Sequence, residues 1–178
     1  MLGAVRAIRT RSQLPLLLFS YLNPLLCYGL PRLAEEARAA GVDGVLVTDL
    51  PPEEAAPWLA AARPSALDTV FLAAPTSPAG RLERIAAESR GFVYAVSRTG
   101  VTGERDSISA DARPLLEQIR ALTSVPVALG FGISTPEQVA AAAAVADAVV
   151  VGSALVRFLE ENPRGDVAGR VRWLRGSM

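Results

Sequence analysis

Two apolar runs near the C-terminal end of the chain finish in small residues, and a helix-like segment follows each of them. The first run, Val125–Gly130, continues into Phe131–Gly132, and the second, Ala148–Val151, continues into Gly152–Ser153. Backbone N–H groups at the carboxyl ends of neighbouring parallel strands can bind a phosphate, because the starts of the following helices favour negative charge. The spacing therefore predicts a phosphate-binding site at this edge of a sheet.

The chemistry available to the chain is limited, because it contains neither lysine nor histidine. All 18 cationic residues are arginine. Without lysine there is no Schiff-base chemistry, and without histidine the commonest acid–base group and the commonest metal ligand are absent. Catalysis would depend on carboxylates, tyrosine, backbone dipoles or the one thiol, Cys27, which we interpret as a packed rather than a reactive residue. We predict no metal site.

Composition is typical of an ordinary globular domain. The chain has 178 residues, 51% of them hydrophobic, and its net charge is zero. There is no basic stripe that would indicate nucleic acid, and no apolar stretch of membrane-spanning length. The single cysteine fits a reducing compartment, and the apolar residues at positions 2, 5 and 8 predict an amphipathic helix, not a signal peptide. We therefore expect a cytoplasmic protein that binds neither nucleic acid nor membrane.

Apolar runs alternate with helix-like segments along the chain, as is typical of a parallel α/β protein. The runs are continuous rather than alternating, which favours strands buried on both faces. We predict six strands, at Leu14–Phe19, Gly44–Thr48, Thr69–Ala73, Gly91–Val96, Val125–Gly130 and Ala148–Val151.

Proline and glycine positions, together with apolar spacing, predict the helices. After the N-terminal helix these are one between Pro31 and Gly41, one from Pro57, Arg81–Ser89, Ala112–Leu122, and one opened by a capping box at Ser134–Glu137. The last short helix is Ala154–Glu161, which precedes a final segment, Val167–Leu174. This order amounts to about six βα units in a single domain, residues 1–178. A complete (β/α)₈ barrel, or TIM barrel, needs about 250 residues, so the sequence predicts an incomplete one.

Five segments resemble the α subunit of tryptophan synthase, in that family's order and at its spacing. They are Tyr21–Pro24, Gly41–Pro51, Tyr94–Gly103, Gly130–Val139 and Val151–Ala154. The loop Ser-Arg-Thr-Gly-Val-Thr-Gly followed by Gly-Phe-Gly-Ile-Ser is specific to this family, whereas Gly-Ser before a helix is common in phosphate-binding barrels. Other barrels fit less well, since indole-glycerol-phosphate synthase and the Schiff-base aldolases need lysine, and the pentose-phosphate epimerases bind metal through histidine.

The resemblance implies a lyase of tryptophan biosynthesis. The family cleaves indole-3-glycerol phosphate by a retro-aldol reaction into indole and glyceraldehyde 3-phosphate, and passes the indole to a β subunit in an α₂β₂ complex. Pyridoxal phosphate belongs to that β subunit, so the resemblance implies no cofactor in this chain.

By the same resemblance, the chain corresponds to strands 3 to 8 of the family's barrel, because the predicted strand Leu14–Phe19 matches the third. The family's catalytic glutamate ends the second strand and its catalytic aspartate lies in the following loop, and neither has a counterpart here. We therefore expect no catalytic residue in this chain and no activity of the chain alone.

The resemblance assigns substrate binding to eight residues, which are Tyr21, Tyr94, Thr102, Gly103, Phe131, Gly132, Gly152 and Ser153. The two tyrosines line the pocket, the threonine and its neighbour belong to a closing loop, and the last four residues hold phosphate. For Tyr94 a simpler interpretation stays open, that of a core tyrosine.

Coupling to the β subunit is assigned by the resemblance to Asn23, Asp49 and Pro51. Asp49 could instead simply cap a turn, as aspartate before proline-rich segments often does. Two other functions also stay open for the whole chain. One is a binding module that holds a phosphate or contacts a β subunit without chemistry, and the other is an unrelated open α/β sugar-phosphate enzyme, which the agreement of the motifs disfavours.

Overall fold

The strands in the described part of the protein form two sheets. A computed structural model describes residues 1–96 and 112–176. Its first sheet has the order β1 (Leu17–Ser20), β2 (Gly44–Val47) and β3 (Asp68–Val70). The second has the order β4 (Leu72–Ala73), β5 (Val93–Val96), β6 (Val127–Gly130) and β7 (Ala148–Val150). The pairs β1–β2, β2–β3 and β6–β7 are parallel, which agrees with the predicted class.

Helices connect these strands in the alternation that the sequence predicts. In chain order they are α1 (Leu2–Arg9), α2 (Leu22–Tyr28), α3 (Leu30–Ala40), α4 (Ala56–Ala62), α5 (Ala79–Glu88), α6 (Ala112–Leu122), α7 (Pro136–Ala143), α8 (Ser153–Glu161) and α9 (Val167–Arg175). The helix predicted from Ala112 to Leu122 has these bounds in the structure, and Gly41 ends α3 in the left-handed conformation, with φ 97°. None of the described helices combines the length and the apolar character that a membrane span requires.

The predicted strand Thr69–Ala73 is divided in two at Phe71, whose side chain is buried. The first part, β3, pairs with β2, whereas the second part, β4, is a neighbour of β5. A change of partner within five residues interrupts the ladder of hydrogen bonds, and this accounts for the break.

The helix α2 is absent from the predictions, and α9 was predicted only as a final segment. Asn23, which the resemblance assigns to coupling, lies inside α2 together with Pro24. Pro24 is the third helical residue, where a missing N–H costs nothing because the first N–H groups of a helix have no intrahelical acceptor.

By their internal contacts the residues form two compact units. The first unit is Met1–Leu72 with Glu83–Val93, and the second is Ala73–Leu82 with Tyr94–Met178. Each has its own buried core, around β2 in the first unit and around β6 in the second, where every residue of the strand is buried. The prediction of a single domain stays a prediction.

A carboxylate anchors the start of a parallel strand pair in each unit. In the first unit Asp43 accepts a hydrogen bond from the Leu16 N–H at 2.7 Å and forms an ion pair with Arg9. Arg9 also donates to the Gly41 carbonyl at 2.7 Å. These bonds fix α1 and the residues before β1 and β2 to one another.

The second unit repeats this arrangement with different residues. Asp147, just before β7, accepts from the Val127 N–H at 2.8 Å and from Arg120 of α6 at 3.0 Å. The Val127 bond lowers the pKa of the Asp147 carboxyl, burial opposes this in part, and Arg120 adds to it. Asp147 therefore stays ionised at neutral pH.

Candidate functional site: the carboxyl ends of the strands

The carboxyl ends of β6 and β7 lie side by side in the second unit. Gly130, the last residue of β6, is in register with Val150, the last residue of β7. The segments that follow, Phe131–Gly132 and Gly152–Ser153, therefore leave the sheet at the same edge. The structure brings together the two predicted phosphate-binding segments, as the spacing indicates.

Tyr94 lies on β5, the neighbour of β6, and its side chain is buried. Burial raises the pKa of the Tyr94 hydroxyl, and a hydrogen bond with the Phe131 backbone lowers it in part. Because that bond favours the ionised phenol, the backbone N–H is its donor. Tyr94 is thus neutral at physiological pH and acts as a hydrogen-bonding group, which agrees with the core interpretation, and its role in lining a pocket stays a prediction.

The residue that the sequence predictions missed is Gly130. A Cβ placed there would lie 2.7 Å from Cζ of Tyr94, which is closer than real Cβ atoms approach, and 3.0 Å from Cβ of Val150, which is a tight contact. Only glycine leaves room for the tyrosine ring. The signal in the sequence was a lone glycine at the end of a Val-Ala-Leu strand, which often marks a close approach by another group.

Two consecutive residues after β6 have left-handed backbones. Phe131 has φ 81° and Gly132 has φ 79°. This conformation is favourable for glycine, but for phenylalanine it costs about 1 kcal/mol or more. The turn must therefore be held by bonds on either side of it. A Cβ at Gly132 would have no neighbour within 4 Å, so the backbone there is open to a ligand.

The start of α7 is closed by side chains of the helix itself. Thr135 is its N-cap and accepts from the Gln138 N–H at 3.3 Å, and the Gln138 side chain bonds back to the cap. The capping box is therefore Thr135–Gln138, one residue later than the predicted Ser134–Glu137. Bonds from its own backbone and from Thr135 lower the pKa of the Glu137 carboxyl, which already occupies this helix end.

The start of α8 is open in comparison. Its N-cap is Gly152, with φ −116° and ψ −81°; no side chain caps it, and its first turn has no acidic residue. Gly152 and Ser153 are exposed, and a Cβ at Gly152 would have no neighbour within 4 Å. An uncapped helix start with exposed N–H groups and a hydroxyl can bind an anion.

A second group of predicted residues lies in the first unit. Asp49, just after β2, accepts a hydrogen bond from the Leu22 N–H at 2.7 Å, at the first residue of α2. Tyr21 is the N-cap of the same helix and is exposed, and Asn23 is its second residue. Asp49 thus caps a helix that precedes it in the sequence, not the turn that follows it.

Pro51 is half-buried, and its carbonyl accepts from the Glu54 N–H at 3.0 Å. The structure brings Tyr21, Asn23 and Asp49 together around the start of α2. Thr102 and Gly103, the predicted closing-loop residues, lie outside the described residues. In the part of the chain that the structure describes, no three His, Cys, Asp or Glu side chains are placed to hold a metal ion. The expected absence of a metal and of a cofactor stays a prediction.

Parallel strands, intervening helices and an open helix start at the carboxyl edge define a protein of the (β/α)₈-barrel class with an incomplete set of strands, as predicted. The chain matches the family of tryptophan synthase alpha chains over residues 1–173. It therefore belongs to the tryptophan synthase alpha chain family.

Its relatives carry the same name. The tryptophan synthase alpha chain of Solibacter usitatus (strain Ellin6076) is 58% identical over 161 residues, which are 90% of this chain and 60% of that one. The alpha chain of Geobacter sulfurreducens is 54% identical over 159 residues, or 89% of this chain and 60% of that one. The chain thus spans about 60% of the length of the curated relatives it matches.

Solved structures show the same fold. The Pyrococcus furiosus protein described under mutual activation of the tryptophan synthase α₂β₂ complex has 39% identity and a TM-score of 0.87, covering 98% of this chain and 71% of that one. Tryptophan synthase from M. tuberculosis in a ligand-free form has 36% identity and a TM-score of 0.82, and the match covers 97% of this chain and 64% of that one.

Proposed function

We propose that this chain is the substrate-binding part of a tryptophan synthase α subunit, a lyase that cleaves indole-3-glycerol phosphate to indole and glyceraldehyde 3-phosphate. The single observation that carries this proposal is the open start of α8 at Gly152–Ser153, beside the left-handed turn at Phe131–Gly132. A phosphate dianion placed there would accept from backbone N–H groups and the Ser153 hydroxyl, which are charge-assisted bonds.

The same chain offers little for the chemical step. Cleavage needs a base for the glycerol hydroxyl and a group that helps to protonate C3 of the indole. Each described carboxyl with a resolved shift, on Glu36, Glu137 or Asp147, has a lowered pKa and so stays ionised. Tyr94 has a raised pKa and stays neutral. A general acid or base works best with a pKa near the operating pH, and none of these four groups meets that condition.

The proposed partner is a tryptophan synthase β subunit, contacted through the polar cluster around the start of α2. Asp49 is exposed, and Pro51 follows it in a stiff loop. The complex named for the Pyrococcus furiosus relative supports this partner. Pyridoxal phosphate would belong to the β subunit alone, and a biosynthetic role of this kind suits the cytoplasm.

A non-catalytic module that binds phosphate or the β subunit is the second candidate. The lowered carboxyl pKa values favour it for the chain as it stands. The two candidates share their binding residues and differ only in whether indole is released. Indole release therefore separates them, and phosphate binding tests both.

The experiment is a calorimetric titration of the 178-residue chain with glyceraldehyde 3-phosphate. We expect binding by the parent and a loss of about tenfold or more for Gly152→Val, because the side chain fits the fold but fills the anion position. Gly80→Val is the matched control, since Gly80 is exposed on α5 and its Cβ would also have no neighbour within 4 Å. A parent that does not bind, or a Gly152→Val variant that binds as the parent does, would contradict the proposed site.

A further inference from the structure

The turn between β6 and α7, Phe131–Thr135, presents five backbone N–H groups at the edge of the proposed phosphate site. Two of them are taken by one side chain, because Oε1 of Gln138 accepts from the Ser134 N–H at 2.7 Å and from the Thr135 N–H at 3.3 Å. The Ser134 hydroxyl donates to the same oxygen at 3.2 Å. Gln138 therefore removes three donors from contact with any ligand.

A third N–H is taken at the other end of the turn, where Phe131 donates to the Tyr94 hydroxyl. Within residues 1–96 and 112–176, no acceptor is bonded to the N–H groups of Gly132 and Ile133. Gly132 is exposed and has open space around it. The turn is thus bonded at both ends and has its unused donors in the middle.

We propose that Gln138 is a positioning residue for the phosphate, an inference that rests on the proposed function. It holds Ser134 and Thr135 against the start of α7, and it thereby leaves the N–H of the exposed Gly132 as the donor of this turn that a phosphate can reach. The left-handed pair at the start of the turn depends on this anchor, since an unfavourable backbone persists only when its surroundings determine it.

The amide matters as well as the hydrogen bonds. A glutamate in the third helical position closes a capping box as well as a glutamine does, so the cap alone does not require an amide. A carboxylate, however, would place a second negative charge beside that of Glu137, which already lies at this helix end. Gln138 completes the cap without repelling a phosphate dianion.

Two variants separate these contributions in a titration with inorganic phosphate. Gln138→Ala loses the anchor, and we expect its affinity to fall by at least about fivefold. Gln138→Glu keeps the cap and the melting temperature, but we expect a similar loss of affinity from repulsion. The matched control is Gln118→Ala, an exposed glutamine of α6, which should bind as the parent does.

Salt distinguishes repulsion by a charge at position 138 from loss of the anchor. The deficit of Gln138→Glu should shrink between about 0.05 M and 0.5 M NaCl, because exposed charges are screened, whereas the deficit of Gln138→Ala should not. If Gln138→Ala proves unfolded, Gln138→Glu alone decides. Parental phosphate affinity in folded Gln138→Ala, or in Gln138→Glu at low salt, overturns this inference and leaves the proposed function intact. A parent that binds no phosphate overturns both.

Discussion

The phenol ring of Tyr94 lies against the backbone of Gly130, in the space where any other residue would have its Cβ. That Cβ would come within 2.7 Å of Cζ of the ring. The tyrosine also holds the Phe131 backbone through its hydroxyl. The last residue of β6 therefore determines where Tyr94 lies, and Tyr94 in turn holds Phe131, the first residue of the turn between β6 and α7.

Gly130→Ala should destabilise the chain, although alanine normally suits a strand better than glycine. We expect a loss of about 1–3 kcal/mol, because the added methyl overpacks a filled site. Urea denaturation measures this loss. Gly152→Ala is the control, since its Cβ has open space, and its free energy of unfolding should change by less than about 0.5 kcal/mol.

The same contact predicts that the two positions are coupled. In a Tyr94→Leu background the ring is gone, so Gly130→Ala should cost much less than it does in the parent. A double-mutant cycle on the free energy of unfolding gives the coupling, for which we expect about 1 kcal/mol or more. Additive costs would show that the glycine is needed for another reason.

The 178-residue chain alone should not release indole from indole-3-glycerol phosphate at a useful rate. Removal of one acid–base partner costs about 10²–10⁴-fold, and the described residues supply no replacement pair. An indole-release assay of the purified chain, with and without a β subunit, measures this against a full-length α chain as control. Turnover comparable to the control would refute the roles proposed here.

How far the sequence predicts the structure depends on whether the deciding contacts are local. The helix Ala112–Leu122 and the end of α3 at Gly41 follow from neighbouring residues and were predicted correctly. The helix α2 was missed because Asp49, 27 residues later, caps its first N–H. A hydrogen bond to a residue so distant in the chain cannot be predicted from the sequence of the helix itself.

In the candidate site, too, the features set by nearby residues were predicted and those set by distant contacts were not. The positions of Gly132 and Gly152 at one edge follow from strand spacing alone, because parallel strands end on the same side. The capping box was predicted one residue early, since Ser134–Glu137 and Thr135–Gln138 both fit the pattern and only the hydrogen bonds in the structure distinguish them. The need for glycine at position 130 could not be predicted, because it depends on where the Tyr94 ring lies on a neighbouring strand. Roles of the site residues stay predictions.

We expect Asp49 to have two roles, as a negative charge in a contact with the partner and as the acceptor for the first N–H of α2. Two substitutions separate these roles. Asp49→Asn keeps an acceptor for the Leu22 N–H, so we expect stability within about 0.5 kcal/mol of the parent. Its binding to a tryptophan synthase β subunit should weaken, with phosphate affinity unchanged. Asp49→Ala should also lose about 1 kcal/mol of stability, because the N–H loses its acceptor.

The measurements for Asp49 are calorimetric binding to the β subunit and to inorganic phosphate, with thermal unfolding beside them. Glu54→Gln, at an exposed position five residues later in the same loop region, is the matched control for charge. The coupling role is wrong if Asp49→Asn loses phosphate binding and keeps its affinity for the β subunit.

Asp147 should make stability depend on pH. Its folded pKa is lowered, first by the Val127 N–H, so the unfolded chain binds the proton more tightly. The stabilisation is present above the unfolded pKa of about 3.9 and is lost as pH falls through the folded value. We expect the parent to exceed Asp147→Asn in stability near pH 7, and the difference to shrink below about pH 4.

Urea midpoints between about pH 7 and pH 2.5 measure this difference. Glu160→Gln, at an exposed position on α8, should track the parent at every pH. A gap between the parent and Asp147→Asn that stays constant with pH would contradict the role given to the ionised carboxyl.

The paired carboxylates at the amino ends of β2 and β7 have a consequence for how this fold tolerates change. A one-residue slip of either strand would break a carboxylate–amide bond and an arginine pair together, at the amino end of that strand. In the second unit, substitutions around Gly132 or Gly152 can therefore change the proposed phosphate site at the carboxyl edge without altering which residues of β6 and β7 are partners. Residues at the carboxyl ends of the strands can change because the carboxylates at the amino ends hold the strand register.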